Sequence, residues 1–447
     1  MLPEKDKKSW RFIAGKHLYP ATFGCVLLYV LGFFFSPFYT IATICLAAIV
    51  TLSLTEYFIL FLMSKPPVVV RHTPEKLSNG DKNPILLQLR SRMLFRVHVT
   101  VFDDLPEVFQ AREFHLKTTL IPGKTRQLTY HLTPQQRGSY TFGNIRLFIS
   151  TSLGFVQRFH VIPQATAVPV YPSYLHMRKY RLMADGRLPE SGGRRMRKIG
   201  HSMEFEQIKE YVRGDDVRTI NWKATARKGS LMVNHYVDEK AQQVYCVIDK
   251  GRLMKSPFNG LTLLDYAINS ALVIADVSLR KQDKAGLITF ADEVDGMLLA
   301  DRRPVQSGRI MDMLYKLDTS FPESNFEQLY MQVRARIQQR SFIIIYTNFE
   351  SMSGLKRQLK SLVSLAKHHL LLVVIFENTE LVQLSKTKAE TVEDIYIRTI
   401  AEKFSYEKKM IVKELNSYGI HTLLTQPEQV SIQMLNKYLE FKNRHAV

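Results

Sequence analysis

Two groups of residues carry side chains suited to chemistry. The first lies in residues 200–234, GHSMEFEQIKEYVRGDDVRTINWKATARKGSLMVN, which hold His201, Glu206, Glu210, Asp215 and Asp216. An imidazole among four carboxylates could hold a metal and activate a water for hydrolysis. The spacing argues against it: it is not H-E-x-x-H, and no second His follows at the fourth position. The second group begins where the apolar run 244–248 ends in Asp249. A buried strand that brings a carboxylate to the edge of a sheet places it where open α/β folds bind ligands. Lys250 and Gly251 follow, with no Ser or Thr before Ser256. The oxygen ligands a hard cation needs are therefore missing nearby, and the Lys250 ammonium offers to neutralise Asp249 in place of a metal. The segment GRLMKS at 251–256 is no phosphate loop, because Lys255 is preceded by Met and the required glycine spacing is absent. There is no G-x-S-x-G elbow. Cys25, Cys45 and Cys246 all sit in apolar runs without metal-ligand spacing, which implies reduced, inert thiols.

These candidates need elements to position them. By spacing, Phe205, Ile208, Tyr211 and Val212 form one apolar face of a helix that Gly214 stops. Asp215, Asp216 and Arg218 then form a charged turn ahead of Ile220 and a buried Trp222. On this reading His201, Glu206, Glu210, Asp215, Asp216, Arg218, Trp222 and Arg227 are structural or docking residues, not catalytic ones. Residues 240–447 alternate strand and helix: QVYCVID, TLLDYAINSALVIADVSL, KAGLITFA, FEQLYMQVRARIQQ, SFIIIYT, LKRQLKSLVSLAKH and LLLVVIF, then two further helices around HTLLT. Continuous apolar strands between helices predict a doubly wound, mainly parallel sheet covered on both faces. Residues 66–172 read as short strands (PPVVVRH, PILLQLR, RVHVTVFD, QLTYHL, IRLFIS, ATAVPVYP) punctuated by glycine turns, which predicts an Ig-like β-sandwich. Residues 173–199 form a basic linker with eight cations between 178 and 198 against Asp185 and Glu190. Residues 200–239 form a segment of their own between this linker and the α/β domain.

Residues 1–65 predict a transmembrane hairpin with a cytoplasmic N-terminal flank. The runs 18–35 and 37–55 contain no charge, and apolar character continues past Glu56 to Met63. Each is near the roughly 20 residues that span a bilayer as a helix, and Ser36-Pro37 breaks them. Lys5, Lys7, Lys8, Arg11 and Lys16 precede the first run, and Lys65 and Arg71 follow the second. Cations stay inside, so both termini are expected in the cytoplasm, with the protein multi-pass in a bacterial inner membrane. The net charge is +20. Such a surplus attracts polyanions, either nucleic acid or the anionic cytoplasmic leaflet. The basic run 178–198 reads first as a solvated linker, and with no zinc-finger spacing and no aromatic-basic RNA-binding motif no nucleic-acid partner is expected.

The stretch 200–234 resembles the signature of the bacterial domain of unknown function 58 family. Gly200, His201, Ser202, Phe205, Glu206, Glu210, Tyr211, Gly214, Asp215, Asp216, Arg218, Ile220, Trp222, Thr225, Ala226 and Arg227 carry it, together with PQQRGSYTFGNIRLFISTSLGF upstream and NKYLEFKNR near the end. The resemblance implies that residues 240–447 are similar to a von Willebrand factor A domain, which often binds a divalent cation through an Asp-x-Ser-x-Ser run, a loop Thr and a later Asp. Here Asp249 fits the first position, but Gly251 and Leu253 replace the serines, and Thr347-Asn348 stand where Ser-Asp is usual. Ser324 or Asn325 stands in for the loop Thr. The resemblance thus implies a degenerate metal site and no bound cofactor, with Asp249, Lys250, Gly251, Thr347 and Asn348 forming a partner-docking edge. It also implies a MoxR-type AAA+ ATPase as partner in protein assembly or maturation. The expectation is a membrane-anchored, non-enzymatic adaptor. The alternative is a membrane-bound metal-dependent hydrolase built on the His201–Asp216 cluster.

Overall fold

The computed structural model describes residues 10–109, 114–174, 203–212, 215, 217–238, 241–386 and 391–443. The basic linker beyond Tyr174, and His201, Gly214 and Asp216, lie outside the described residues. The protein is multidomain. It divides into two compact units, Met1–Leu175 and His176–Val447.

The first unit is a large β-rich region bearing two apolar helices. Its strands are β1 (Trp10–Ala14), β2 (Val68–His72), β3 (Leu77–Ser78), β4 (Asn83–Arg90), β5 (Val97–Asp103), β6 (His115–Leu120), β7 (Thr125–Leu132), β8 (Gly138–Phe142), β9 (Ile145–Ser150), β10 (Val156–Ile162) and β11 (Thr166–Tyr171). One sheet has the order β1-β10-β9-β5-β6, and the others are β2-β4-β7 and β3-β11-β8. Alternate residues of β4 (Ile85, Leu87, Leu89) and of β5 and β9 (Val97, Val99, Val101, Ile145, Leu147, Ile149) meet in one buried core. Period-two burial of this kind is what a sheet with one face in a sandwich core requires.

Helices α1 (Leu18–Phe34) and α2 (Ser36–Tyr57) pack against each other, with Phe35 extended between them and Pro37 in the first turn of α2. Proline suits that turn because its missing N–H has no partner to lose. Gly32 permits the close crossing: a Cβ there would lie 2.9 Å from the Tyr39 nitrogen. Among the described residues, Ser36–Leu62 is the one helix long and apolar enough to cross a membrane. Leu18–Phe34 is apolar but shorter.

Three features of this region depart from the sequence reading. Residues 10–14, expected as a free flank, are an edge strand that pairs antiparallel with β10 from Trp10↔His160 to Ala14↔Val156. From Glu56 onward the second helix belongs to the sandwich. The buried Glu56 carboxylate accepts backbone N–H groups of Gly154 (2.9 Å), Phe155 (2.8 Å) and Val156 (2.9 Å), and the Thr151 hydroxyl also donates to it. Arg158 then donates to the carbonyls of Leu60 (2.6 Å) and Ser64 (2.9 Å), closing the helix end. Arg71, counted among the flanking cations, is a core residue. It pairs with the buried Asp103 carboxylate, donates to the Gly143 and Gln164 carbonyls (both 3.0 Å), and leaves Asp103 to accept the Tyr130 hydroxyl at 2.5 Å.

Among the described residues of the second unit, β12 (Met203–Glu210) comes first, paired antiparallel with β13 (Met232–Asp238) through a 3-10 turn at Val217–Thr219 and a short helix Trp222–Lys228. The helix expected over residues 205–212 is therefore a strand. The i, i+3 spacing of Phe205 and Ile208 that reads as helical contains a β-bulge. Positions 205 and 208 pair with 236 and 234, two steps apart, so one extra residue restores strand alternation. Trp222, expected buried, opens the short helix and is 70% exposed.

The rest is an α/β layer structure. Strands β14 (Gln243–Asp249), β17 (Lys284–Phe290), β18 (Val294–Asp301), β19 (Phe342–Thr347), β20 (Leu370–Phe376) and β21 (His421–Thr425) form a sheet ordered β18-β17-β14-β19-β20-β21; β15 (Pro257–Phe258) and β16 (Leu261–Thr262) are a small hairpin beside it. All pairs in the six-stranded sheet are parallel except β17 with β18. One face (Val244, Cys246, Ile248, Ile344, Val374) packs on helices Leu263–Arg280, Val305–Lys316 and Val430–Asn443. The other (Tyr245, Val247, Ile345, Val373) packs on Phe326–Arg336, Met352–His368 and Val392–Ser417. Burial of both faces explains why these strands are continuously apolar. Cys246 lies inside this core, and burial pushes its thiol up to about 12, which makes it inert.

Candidate functional site at the carboxyl edge of the sheet

The strand order reverses between β14 and β19, and Asp249 and Thr347 are the last residues of those two strands. This is the switch point at which open α/β sheets form a ligand crevice. Here the crevice is filled from within. Asp249 Oδ1 accepts the Ser324 hydroxyl at 2.5 Å and the Gly251 N–H at 2.8 Å, and Oδ2 accepts the Thr347 hydroxyl at 2.6 Å. Burial raises the Asp249 carboxyl above its ordinary range, and these three donors partly offset the rise.

Gly251 is part of this design. A Cβ at 251 would sit 1.9 Å from Ser324 Oγ and 2.9 Å from Asp249 Oδ1. The missing side chain at 251 is what lets a hydroxyl arrive from another loop. Of the two loop candidates, Ser324 reaches Asp249. Asn325 instead caps the next helix, accepting the N–H groups of Glu327 (3.1 Å) and Gln328 (3.2 Å).

Lys250 does not neutralise Asp249. Its ammonium binds the Asp295 carboxylate and the Asp318 carbonyl (3.2 Å) instead. Asn348 meets a different cation. Its Oδ1 accepts Lys408 Nζ at 2.9 Å, and Lys408 also donates to the Phe376 carbonyl. Burial lowers the Lys408 ammonium to about 8, against the opposing pull of Glu350 and Glu377. Beside it opens a cleft of about 320 Å³ with Phe258, Phe376 and Phe404 on its walls and Glu350, Glu377 and Glu380 among its lining.

This donor set does not fit a divalent cation. One carboxylate has both oxygens occupied by hydroxyl or amide donors, and an ammonium holds the amide oxygen of Asn348. Hard cations need several free anionic or carbonyl oxygens. Among the described residues no three His, Cys, Asp or Glu side chains come together.

Of the acidic residues in the 200–216 stretch, the described side chains of Glu210 and Asp215 are held by different partners. Glu210 pairs with Lys228 (3.2 Å) and accepts the Ser230 hydroxyl (3.4 Å). Asp215 pairs with Lys209 (3.0 Å) and accepts the Val212 N–H (3.0 Å). Lys209 and Glu210 are successive strand residues, so the two acids are tied on opposite sides. Glu206 lies in β12, Arg218 in the 3-10 turn, and Arg227 in the last turn of the short helix, where a cation suits the carbonyl ends. Asn221 caps that helix, accepting the Ala224 N–H at 3.0 Å, and Gly229 ends it at φ 74°. Lys408 and the cleft had no local sequence signal, since Lys408 is 60 residues from Asn348.

Known proteins resemble parts of this chain. The uncharacterized protein YeaD of Bacillus subtilis (strain 168) is 24% identical over 183 residues, 39% of this chain and 45% of that protein, so the match spans less than half of the relative's length. Among solved structures, a CARDB domain from Pyrococcus furiosus (16% identity, TM-score 0.17) covers 23% of this chain and 93% of its own. Proximal thread matrix protein 1 of the mussel byssus (11% identity, TM-score 0.26) covers 44% of this chain and 46% of its own. The family model described as "Protein of unknown function DUF58" matches residues 207–408, from β12 to Lys408, and so takes in Asp249, Ser324, Thr347, Asn348 and, Pro427 apart, the lining of the cleft beside them.

Proposed function

We propose that this protein is a membrane-anchored, non-enzymatic adaptor whose von Willebrand A-like unit docks a partner at the carboxyl edge of its sheet. The observation that carries the reading is the self-satisfied Asp249, closed by Ser324, Thr347 and the Gly251 N–H, next to an open cleft at the same edge. An edge whose single acid is held by donors from its own loops supports docking over metal-assisted hydrolysis, and it keeps a shaped, partly apolar surface for a partner's side chain. The strand order with one antiparallel edge strand supports the von Willebrand A-like assignment. Two apolar helices support the anchor. The stretch of α2 ahead of Glu56 is about 30 Å long at about 1.5 Å per residue, the thickness of a hydrocarbon core. Sandwich contacts at β1 and at Glu56 tether both ends of the helix pair to one domain, which supports a hairpin with both ends on the cytoplasmic side of a bacterial inner membrane. By family analogy the partner is a MoxR-type AAA+ ATPase, and ATP hydrolysis belongs to it.

Co-purification of the full chain from mild detergent, in magnesium and in chelator, tests this. An ATPase retained in both, and lost on Phe404→Ala with Glu377→Lys, is the expected result. Retention of the ATPase by that double variant, or no retained partner with either, defeats the reading. Magnesium-dependent hydrolysis by the chain alone would restore the hydrolase alternative.

A further inference from the structure

Strand register gathers five loops at one end of the sandwich. Ala14 pairs with Val156, Gln157 with Ser150, Ser150 with His98, Val97 with Leu120, and Arg90 with both Thr125 and Val68. The loops 15–17, 63–67, 91–96, 121–124 and 151–155 therefore share that end, and Ser91 N–H bonds the Lys124 carbonyl across two of them at 3.1 Å. Two of these loops, 15–17 and 63–67, are where the helical hairpin leaves and rejoins the sandwich.

The composition of this end is one-sided. Its loops hold Lys16, Lys65, Arg92, Arg96 and Lys124, all exposed, and no Asp or Glu. Loops at the opposite end are mixed, holding Glu75, Asp81, Asp104 and Glu107 beside Lys76, Lys82 and Arg137. The cationic end also presents bulky apolar side chains to solvent at its loop tips: Leu94 (57% exposed), Phe95 (45%), Ile121 (46%) and Leu153 (48%). Exposed apolar groups gathered in one patch mark a surface that meets something apolar. Aromatic and aliphatic tips ringed by Lys and Arg, without acids, match the boundary between anionic headgroups and acyl chains.

We propose that this end of the sandwich is a second, peripheral membrane contact. Phe95, Leu94, Ile121 and Leu153 enter the interface of an anionic bilayer, and Arg92, Arg96, Lys124, Lys65 and Lys16 bind its headgroups. The proposal rests on the reading that the hairpin enters a bilayer. It goes beyond an anchor on a tether, because the sandwich is pinned to the lipid surface by its own loops and held in one orientation to it.

A single-tryptophan series in the full chain separates the outcomes. Trp10→Phe and Trp222→Phe remove the native indoles, and Phe95→Trp, Ile121→Trp, Ile44→Trp or Lys82→Trp adds one. Each variant is reconstituted into vesicles of equimolar phosphatidylcholine and phosphatidylglycerol, with and without brominated acyl chains. Indoles at 95 and 121 should lose about half or more of their emission to bromines near the headgroup boundary, the depth of interfacial side chains, while that at 82, at the opposite end, keeps its own. Quenching at 44 with none at 95 and 121 overturns the proposal and leaves the anchor standing. No quenching at 44 by bromines placed near the acyl-chain ends, at the depth of the middle of the span, removes the anchor and the proposal together. Arg92→Gln with Arg96→Gln and Lys124→Gln should lower quenching at 95 in these vesicles to the level in phosphatidylcholine alone; no change would refute the headgroup contact.

Discussion

Thr347→Val tests the closed edge most directly. The change nearly keeps the side-chain shape and removes the hydroxyl that donates to Asp249 Oδ2 at 2.6 Å. Thr347 is fully buried and Asp249 is 2% exposed, so water does not replace the lost donor. At a pH above the raised Asp249 value the carboxylate is charged, and a hydrogen bond to a charged group contributes about 1.5–3 kcal/mol, so the α/β unit should there lose about 2 kcal/mol, roughly a 30-fold rise in its opening constant. Asp249→Asn supplies the control. Burial holds the Asp249 carboxyl above its ordinary value, so the folded state binds a proton more readily than the unfolded chain. The parent therefore loses stability as pH rises from the ordinary Asp value of about 4 through the raised one, and Asp249→Asn should gain on it across that window. In the Asp249→Asn background Thr347→Val breaks a neutral bond of about 1 kcal/mol, which leaves a coupling of about 1 kcal/mol in the double-mutant cycle. Hydrogen exchange of amides in β14 and β19, in the full chain in detergent, reads all four corners. A coupling below about 0.5 kcal/mol, the usual limit of additivity, would refute the argument.

Other contacts make separate claims. Arg71→Met leaves Asp103 charged and buried, and should cost the sandwich about 3–5 kcal/mol, seen as faster proteolysis; adding Asp103→Leu should recover much of it. Glu56→Ala orphans the N–H groups of Gly154, Phe155 and Val156, so their exchange protection should fall by at least about 2 kcal/mol while β4 and β7 stay protected. Lys408 in the folded state sits near 8, below its ordinary 10.5, so the parent should gain stability as pH rises through that interval. Lys408→Met should lack this gain, and an identical pH profile for the two proteins would exclude a buried ammonium.

Much of the architecture was legible because it depends on local pattern. FIIIYT and LLLVVIF are strands because an apolar run that short, between helical repeats, has both faces to bury. The two charge-free runs near the start are helices, and the β-rich character of residues 66–172 follows from period-two alternation in segments such as VHVTVFD. The pattern misled where one residue broke its period. The bulge between Phe205 and Gln207 gave a strand the spacing of a helix.

The chain alone determined which segments must be buried and that Asp249 ends a strand at a sheet edge. What each buried polar group touches was decided by tertiary structure. Asp249 is closed by Thr347, 98 positions away, and by Ser324, 75 away. Glu56 was an acid in an apolar run until the β9–β10 turn, about a hundred positions on, supplied its donors. Arg71 was one cation in a flank until Asp103 buried it. Hydrophobic periodicity is written within a few turns of chain, whereas a desolvated charge is stable only beside partners that the fold alone brings to it.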